Sequence, residues 1–170
     1  TSQRARKVAE RSAETGEHYI TRDRRDYFTM LRRALGGGAV MSVTTLLKFW
    51  IGSWAASPFW LGMAAGLNYA SSFVLIQLLH FTVATKQPAM TAPAMAAKLA
   101  DVQEDRAVEG FVDEVANLIR SQVAGIVGNM VAVAPLVLGF QLLSWWWAGA
   151  PMVDADTARY VLKNLTLLGP

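Results

Sequence analysis

Six carboxylates stand close together in the middle of the chain, and they are the densest set of groups able to hold a cation or transfer a proton. They are Asp101, Glu104, Asp105, Glu109, Asp113 and Glu114. A metal centre or an acid–base pair needs side chains that converge on one point. These six scatter around a predicted helix, and no histidine stands among them. We interpret them as a solvated acidic face, and we predict no metal and no other cofactor.

Basic residues dominate residues 1–33, which hold nine of the 16 lysines and arginines. Ile20, Tyr27, Phe28 and Leu31 in this segment fit one face of a helix. Anionic lipid head groups attract such a segment by about 1 kcal/mol per cation. We predict head-group contacts for Arg22, Arg24, Arg25, Arg32, Arg33 and Lys86. The alternative is a solvated helix whose charges only flank a membrane span.

The stretches between the charged segments are long and apolar. The chain is 53% hydrophobic and 17% charged, against roughly 25% charged in a soluble domain. Lys48 and Lys86 are the only charged residues from 34 to 90, and residues 121–153 contain none. Soluble helices need a polar face, whereas a bilayer needs about 20 apolar residues per span. We therefore predict an all-α, polytopic membrane protein with three transmembrane helices, a basic N-terminal helix and an amphipathic cytoplasmic helix.

Glycine and proline positions set the predicted boundaries. Gly36, Gly37 and Gly38 suit close approach between membrane helices, and Pro88 ends the second span. The segments run in this order: a basic cytoplasmic arm 1–33, transmembrane helices 34–52 and 57–84, an amphipathic cytoplasmic helix 91–121, transmembrane helix 122–148, and an outer segment 151–170 that leads into a continuation.

Four amide side chains lie in the interior of the predicted spans, where hydrogen bonds between helices stabilise packing. We predict interhelical contacts for Asn68, Gln77, Asn129 and Gln141. Gln77 and Asn129 each lie about six residues from the end of their predicted helix that is nearer the basic arm. Because a helix rises 1.5 Å per residue, the two side chains are at similar depth. The sequence therefore predicts that these two bond to each other.

Tryptophan and basic residues give the predicted orientation. Tryptophan favours the membrane–water interface. All six fall at one end of the predicted helices and form a predicted interface belt: Trp50, Trp54, Trp60, Trp145, Trp146 and Trp147. Most lysines and arginines lie on the opposite side, which the positive-inside rule places in the cytoplasm. We expect a membrane location with a cytoplasmic N terminus.

The segment at residues 66–98, and above all ATKQPAMTA at 84–92, resembles a bacterial membrane family labelled "site-specific recombinase" after a proposed gonococcal recombinase. Its members are longer, so the resemblance implies that this chain is their central membrane portion. The label implies DNA strand exchange. A tyrosine recombinase needs a His-x-x-Arg element, but three residues separate His18 from Arg22, and no recognisable serine-recombinase element surrounds Ser12. These residues do not support the activity.

Three functions follow as hypotheses. The first is a membrane-embedded structural or transport-type domain of the inner membrane. The second is DNA recombination, in which the basic arm binds the phosphates of DNA. The third is an assembly subunit whose amphipathic helix docks a cytoplasmic partner. The sequence lacks a Walker loop, a dinucleotide fingerprint, an HExxH motif and a Gly-x-Ser-x-Gly elbow. We expect membrane lipids and other membrane or cytoplasmic subunits as partners, rather than nucleic acid.

Overall fold

A computed structural model describes residues 16–100 and 105–166, with the isolated positions 7, 11 and 14. The side chains of residues 86, 87, 90, 100 and 105–107 lie outside this description. Every regular element in these ranges is helical, which confirms the all-α class. The elements are α1 (Arg24–Gly52), α2 (Pro58–Leu78), a 3₁₀ turn (Ala84–Lys86), α3 (Gln87–Ala100), α4 (Asp105–Ala148) and α5 (Ala155–Leu165).

Three of the described helices are long and apolar enough to cross a membrane. They are α1, α2 and the part of α4 from Val108 to Ala148. The other two, α3 and α5, are shorter, and they follow α2 and α4 respectively. The number of candidate spans therefore agrees with the sequence pattern.

Helix α1 begins earlier than the first predicted span. Asp23 is its N-cap, and the carboxylate accepts a hydrogen bond from the amide of Asp26 at 2.7 Å, which satisfies a backbone donor that helix formation leaves unpaired. No glycine or proline interrupts the chain between Arg24 and Leu35. The predicted limit between arm and span at residue 33 is therefore a change of polarity within one continuous helix, not a helix end.

The predicted amphipathic helix 91–121 is divided between two helices. Lys98 Nζ lies 2.8 Å from Glu114 Oε1, although 16 positions within one helix would separate these residues by about 24 Å. The chain must reverse between them, so α3 and the start of α4 form an antiparallel pair. From Asp105 the helix continues to Ala148, past the predicted limit at residue 121, because polarity changes there without any residue that breaks the backbone.

Small residues form the seam between α1 and α4, which run parallel. A Cβ added at Gly128 would lie 2.7 Å from Ala34 Cβ, and one at Gly38 would lie 2.6 Å from the Asn129 carbonyl oxygen. Ala34 and Ala124 are fully buried. The predicted close approach at the glycine triplet is thus confirmed. Such contacts give α1 and α4 dispersion energy that larger side chains would prevent.

Helix α2 runs antiparallel to α1 and contacts it through polar side chains. Thr44 Oγ1 donates to Ser72 Oγ at 2.6 Å, and Asn68 Nδ2 donates to the Thr44 carbonyl at 2.9 Å. Ile76 is the one buried residue along α2. The remaining apolar side chains of this helix are therefore mostly open to the surroundings.

Candidate functional site

The ends of the bundle differ in character. At one, called the arm end, residues 16–22 meet the last turn of α2, the first turns of α1 and the middle of α4. At the other, called the tryptophan end, α1 and α4 finish and α2 begins. The described buried polar groups with partners distant in sequence lie mainly at the arm end, so this end is the candidate site.

Asn129 joins three segments at the arm end. Its Nδ2 donates to the carbonyls of Ala34 at 2.6 Å and Thr82 at 3.1 Å, and its Oδ1 accepts from the amide of Ala84 at 2.7 Å. Residues 82–84 follow the end of α2. The Thr82 carbonyl and the Ala84 amide bind the Asn129 side chain instead of a helical partner. Backbone groups away from water need such partners, so Asn129 holds the beginning of the ATKQPAMTA segment against α1.

The turn after α2 depends on His80 and on the glycine triplet. The amide of Phe81 donates to the Ile76 carbonyl at 2.9 Å, and His80 has a φ of 55°, the left-handed conformation that usually ends a helix with glycine. The Phe81 ring then packs on α1, where a Cβ at Gly36 would lie 2.6 Å from it. The Thr82 amide completes the contact by donating to the Arg33 carbonyl at 3.1 Å.

Glu114 forms a buried ionic centre. Arg22 Nη2 lies 2.5 Å and Lys98 Nζ 2.8 Å from its Oε1, and Arg22 Nε donates to Oε2 at 3.3 Å. The Arg22 hydrogen bond is the largest influence on the carboxylate, and with Lys98 it outweighs burial and lowers the Glu114 pKa to about 2. The interpretation as a solvated face is wrong for Glu114, whereas Glu109 and Asp113 are exposed.

Next to this centre, Thr21 is tied to α4. Its amide donates to Ser121 Oγ at 2.7 Å, the two hydroxyl oxygens lie 2.8 Å apart, and Arg120 Nη2 donates to the Thr21 carbonyl at 3.1 Å. Thr21 and Ser121 are both buried. No sequence motif marks these residues, because a hydrogen bond across 100 positions has no local pattern.

The predicted head-group residues have different surroundings. Arg22 binds Glu114, although its side chain stays 45% exposed. The side chain of Lys86 lies outside the described residues. The other four are exposed on α1: Arg24, Arg25, Arg32 and Arg33. Contact of these arginines with lipid stays a prediction.

The four predicted amides are also distributed over different sites. Asn68 reaches from α2 to α1, as described above. The polar atoms of Asn129 bind backbone groups rather than Gln77, and Gln77 lines a cleft at the arm end. Gln141 bonds to Val153, with its Nε2 3.2 Å from the carbonyl oxygen, and so holds the chain that turns back after α4.

The six tryptophans lie at the tryptophan end on three helices or just beyond them. Their exposed fractions range from 42% for Trp54 to 85% for Trp147. Trp50 and Trp54 contact edge to face, with ring centroids 5.0 Å apart. The bundle thus brings together side chains that are nearly 100 positions apart, and their depth in a bilayer stays a prediction.

A cleft of about 600 Å³ opens at the arm end. The arm, α1 and the turn after α2 each form one wall. Both histidines of the chain, His18 and His80, line it together with Arg22, Asp26, Arg33 and Gln77. Within the described residues, no group of three histidine or acidic side chains could hold a metal ion. The cleft is suited to hydrogen bonding and charge recognition.

A family model described as "Site-specific recombinase" matches residues 1–170, the whole chain. The chain belongs to the site-specific recombinase family. No curated protein and no solved structure matches it. In this family member the ATKQPAMTA segment begins at Ala84, whose amide binds Asn129, so the first residue of the motif that carries the resemblance is held at the arm end.

Proposed function

We propose that this chain is a membrane-embedded structural domain of the bacterial inner membrane. The observation that carries the proposal is the apolar surface of the three long helices. Only 6% of the most apolar stretch of α2 and 22% of that of α4 is buried. Leu138, Leu142 and Met130 are each more than 60% exposed. Water would drive such surfaces to associate, whereas lipid hydrocarbon solvates them.

The seam between α1 and α4 favours a structural role over a transport role. The spaces at Gly38 and Gly128 are too narrow for even one added methyl group, so no solute can pass between these helices as they are packed. Residues 121–153 of the chain carry no charge, and coupled transport usually depends on ionisable groups within the membrane. A transport role would need a path on another face of the bundle.

Labelling with a membrane-impermeant thiol reagent tests the placement, because the chain contains no cysteine. Ser53→Cys and Ala148→Cys put a thiol at the tryptophan end, and Asp113→Cys puts one on the exposed part of α4 near the arm. With the N terminus in the cytoplasm, we expect positions 53 and 148 to react in intact cells and position 113 to react only after lysis.

The opposite pattern would reverse the orientation and leave the membrane proposal standing. If all three positions reacted only after lysis, the membrane proposal would fail. The second candidate, DNA strand exchange, would then be the better account, since the family description supports it. Thiol accessibility of a denatured sample serves as the control that each cysteine can react.

A further inference from the structure

Charge is unevenly distributed along the arm-end cleft. Its α1 wall consists of Asp26, Thr29, Met30 and Arg33, whose spacing is that of a single helical stripe. Seven positions separate Asp26 from Arg33, which corresponds to about 10 Å along the helix axis. The wall therefore has a carboxylate near one end and a guanidinium near the other.

The Asp26 end is net negative. Glu17 and Arg22 line the cleft there with Asp26. The Arg22 guanidinium is already held by Glu114 at 2.5 Å and lies 3.9 Å from Glu17, and Glu114 shares its charge with Lys98. The two positive charges of Arg22 and Lys98 balance the two negative charges of Glu114 and Glu17. The negative charge of Asp26 is then in excess at this end and can attract a cation.

The Arg33 end is rich in hydrogen-bond donors. The bond from the Thr82 amide to the Arg33 carbonyl, 3.1 Å long, fixes the turn after α2 at this end. Gln77, in the last turn of α2, and His80, in the turn that follows, also line the cleft. Within the described part of the chain Arg33 forms no ion pair. A guanidinium in such a place suits the oxygens of a phosphate, which it can bind through two parallel hydrogen bonds.

We propose that this cleft binds a head group that carries both a phosphate and a primary ammonium group, as an aminophospholipid does. The phosphate lies at Arg33, and the ammonium lies at Asp26. Arg33 directly precedes the uncharged residues 34–47, which puts the cleft at the depth of lipid head groups. This inference rests on the membrane placement proposed above.

Lipid selectivity of the purified chain tests the inference. In detergent, the chain is titrated with phosphatidylethanolamine, phosphatidylcholine and phosphatidylglycerol, and bound lipid is counted by native mass spectrometry. Phosphatidylethanolamine should bind about tenfold more tightly than the other two, because the trimethylated choline nitrogen cannot donate hydrogen bonds and glycerol has no ammonium.

Variants locate the site. Arg33→Gln and Asp26→Asn should each weaken phosphatidylethanolamine binding about tenfold, as expected for the loss of one charge-assisted hydrogen bond. Arg32→Gln removes the same charge as Arg33→Gln at an exposed neighbouring position outside the cleft, so it should affect all three lipids alike and leave the selectivity for phosphatidylethanolamine unchanged. Thermal unfolding without lipid should be similar for all three, because these side chains are exposed.

Equal affinity for the three lipids would overturn the inference, because it would show that the ammonium group is not recognised. An Arg32→Gln effect equal to that of Arg33→Gln would also overturn it, since it would indicate general charge attraction. Soluble phosphoethanolamine is added as a competitor. If it displaces the lipid at similar concentration, the recognition of a phosphate and an ammonium group is supported, and the ligand is the free compound and not the lipid. Loss of selectivity alongside correct cysteine labelling would remove the cleft proposal and leave the membrane proposal intact.

Discussion

Glu114 illustrates how its neighbours give one carboxylate a role that the exposed Glu109 and Asp113 of the same helix do not share. It is 5% exposed, and two cations contact it. Burial alone would raise its pKa, but the hydrogen bonds from Arg22 and Lys98 reverse the direction. A buried carboxylate with two cationic partners links the arm, α3 and α4, and loss of both partners would leave a buried charge unpaired.

Replacing this carboxylate should loosen the arm end. Glu114→Gln keeps the shape of the side chain but removes its charge, and we expect it to lower the free energy of unfolding by about 1–3 kcal/mol at neutral pH. Thermal or denaturant unfolding in detergent measures the change. Glu109→Gln, at an exposed position of the same helix, is the matched control and should be close to neutral.

The same residue predicts a pH dependence. The folded pKa is about 2, below the usual value of 4.5, so folding favours the ionised form. Its stabilising effect is complete above about pH 4.5 and is lost as the pH falls toward 2. The parent chain should therefore lose more stability between pH 5 and pH 3 than Glu114→Gln does. Parallel curves for the two proteins would contradict this assignment.

At the scale of the element, the glycine triplet and Gly128 determine how closely α1 approaches its neighbours. A Cβ at Gly37 would overlap the Thr82 carbonyl oxygen, a backbone atom that cannot rotate away. The turn after α2 and the seam with α4 therefore depend on the absence of side chains. Glycine is poor in an isolated helix, so tertiary contact explains its presence here.

Alanine substitutions test this dependence. Gly37→Ala and Gly128→Ala should each destabilise the fold by about 1–3 kcal/mol, because the added methyl group forces the backbone apart. Gly62→Ala and Gly139→Ala are controls, since nothing lies within 4 Å of an added Cβ at either position. They should be neutral or slightly stabilising. Unfolding free energies in detergent compare the four variants, and equal effects at all four positions would argue against the seam.

At the scale of the whole molecule, α4 exceeds the thickness of a bilayer. Its 44 residues extend about 66 Å, whereas the hydrocarbon core measures about 30 Å. The uncharged half has the length and composition of a membrane span, and under the proposed placement the half that carries Glu114 and Arg120 would lie beyond the membrane at the arm end. The charged half contacts the arm and α3, so one continuous helix connects the apolar part of the bundle to the polar junction.

A distance measurement tests whether α4 is continuous. Spin labels on cysteines at Glu109 and Ala148 should give a single distance distribution centred at about 55–60 Å, because 39 helical positions separate the two sites. Pulsed electron paramagnetic resonance covers this range. A distance below about 40 Å would instead favour two separate helices that meet near residue 121.

The sequence by itself determined the helical class, the number of candidate spans and the gathering of tryptophans at one end. These follow from composition and from hydropathy along the chain, which act locally. Only the tertiary structure decided that α1 and α4 continue through their changes of polarity, that Asn129 binds backbone rather than Gln77, and that Glu114 is buried. The contacts of Asn129 and the burial of Glu114 depend on residues that are distant in sequence, and hydropathy along one segment contains no information about which partner will satisfy a polar group.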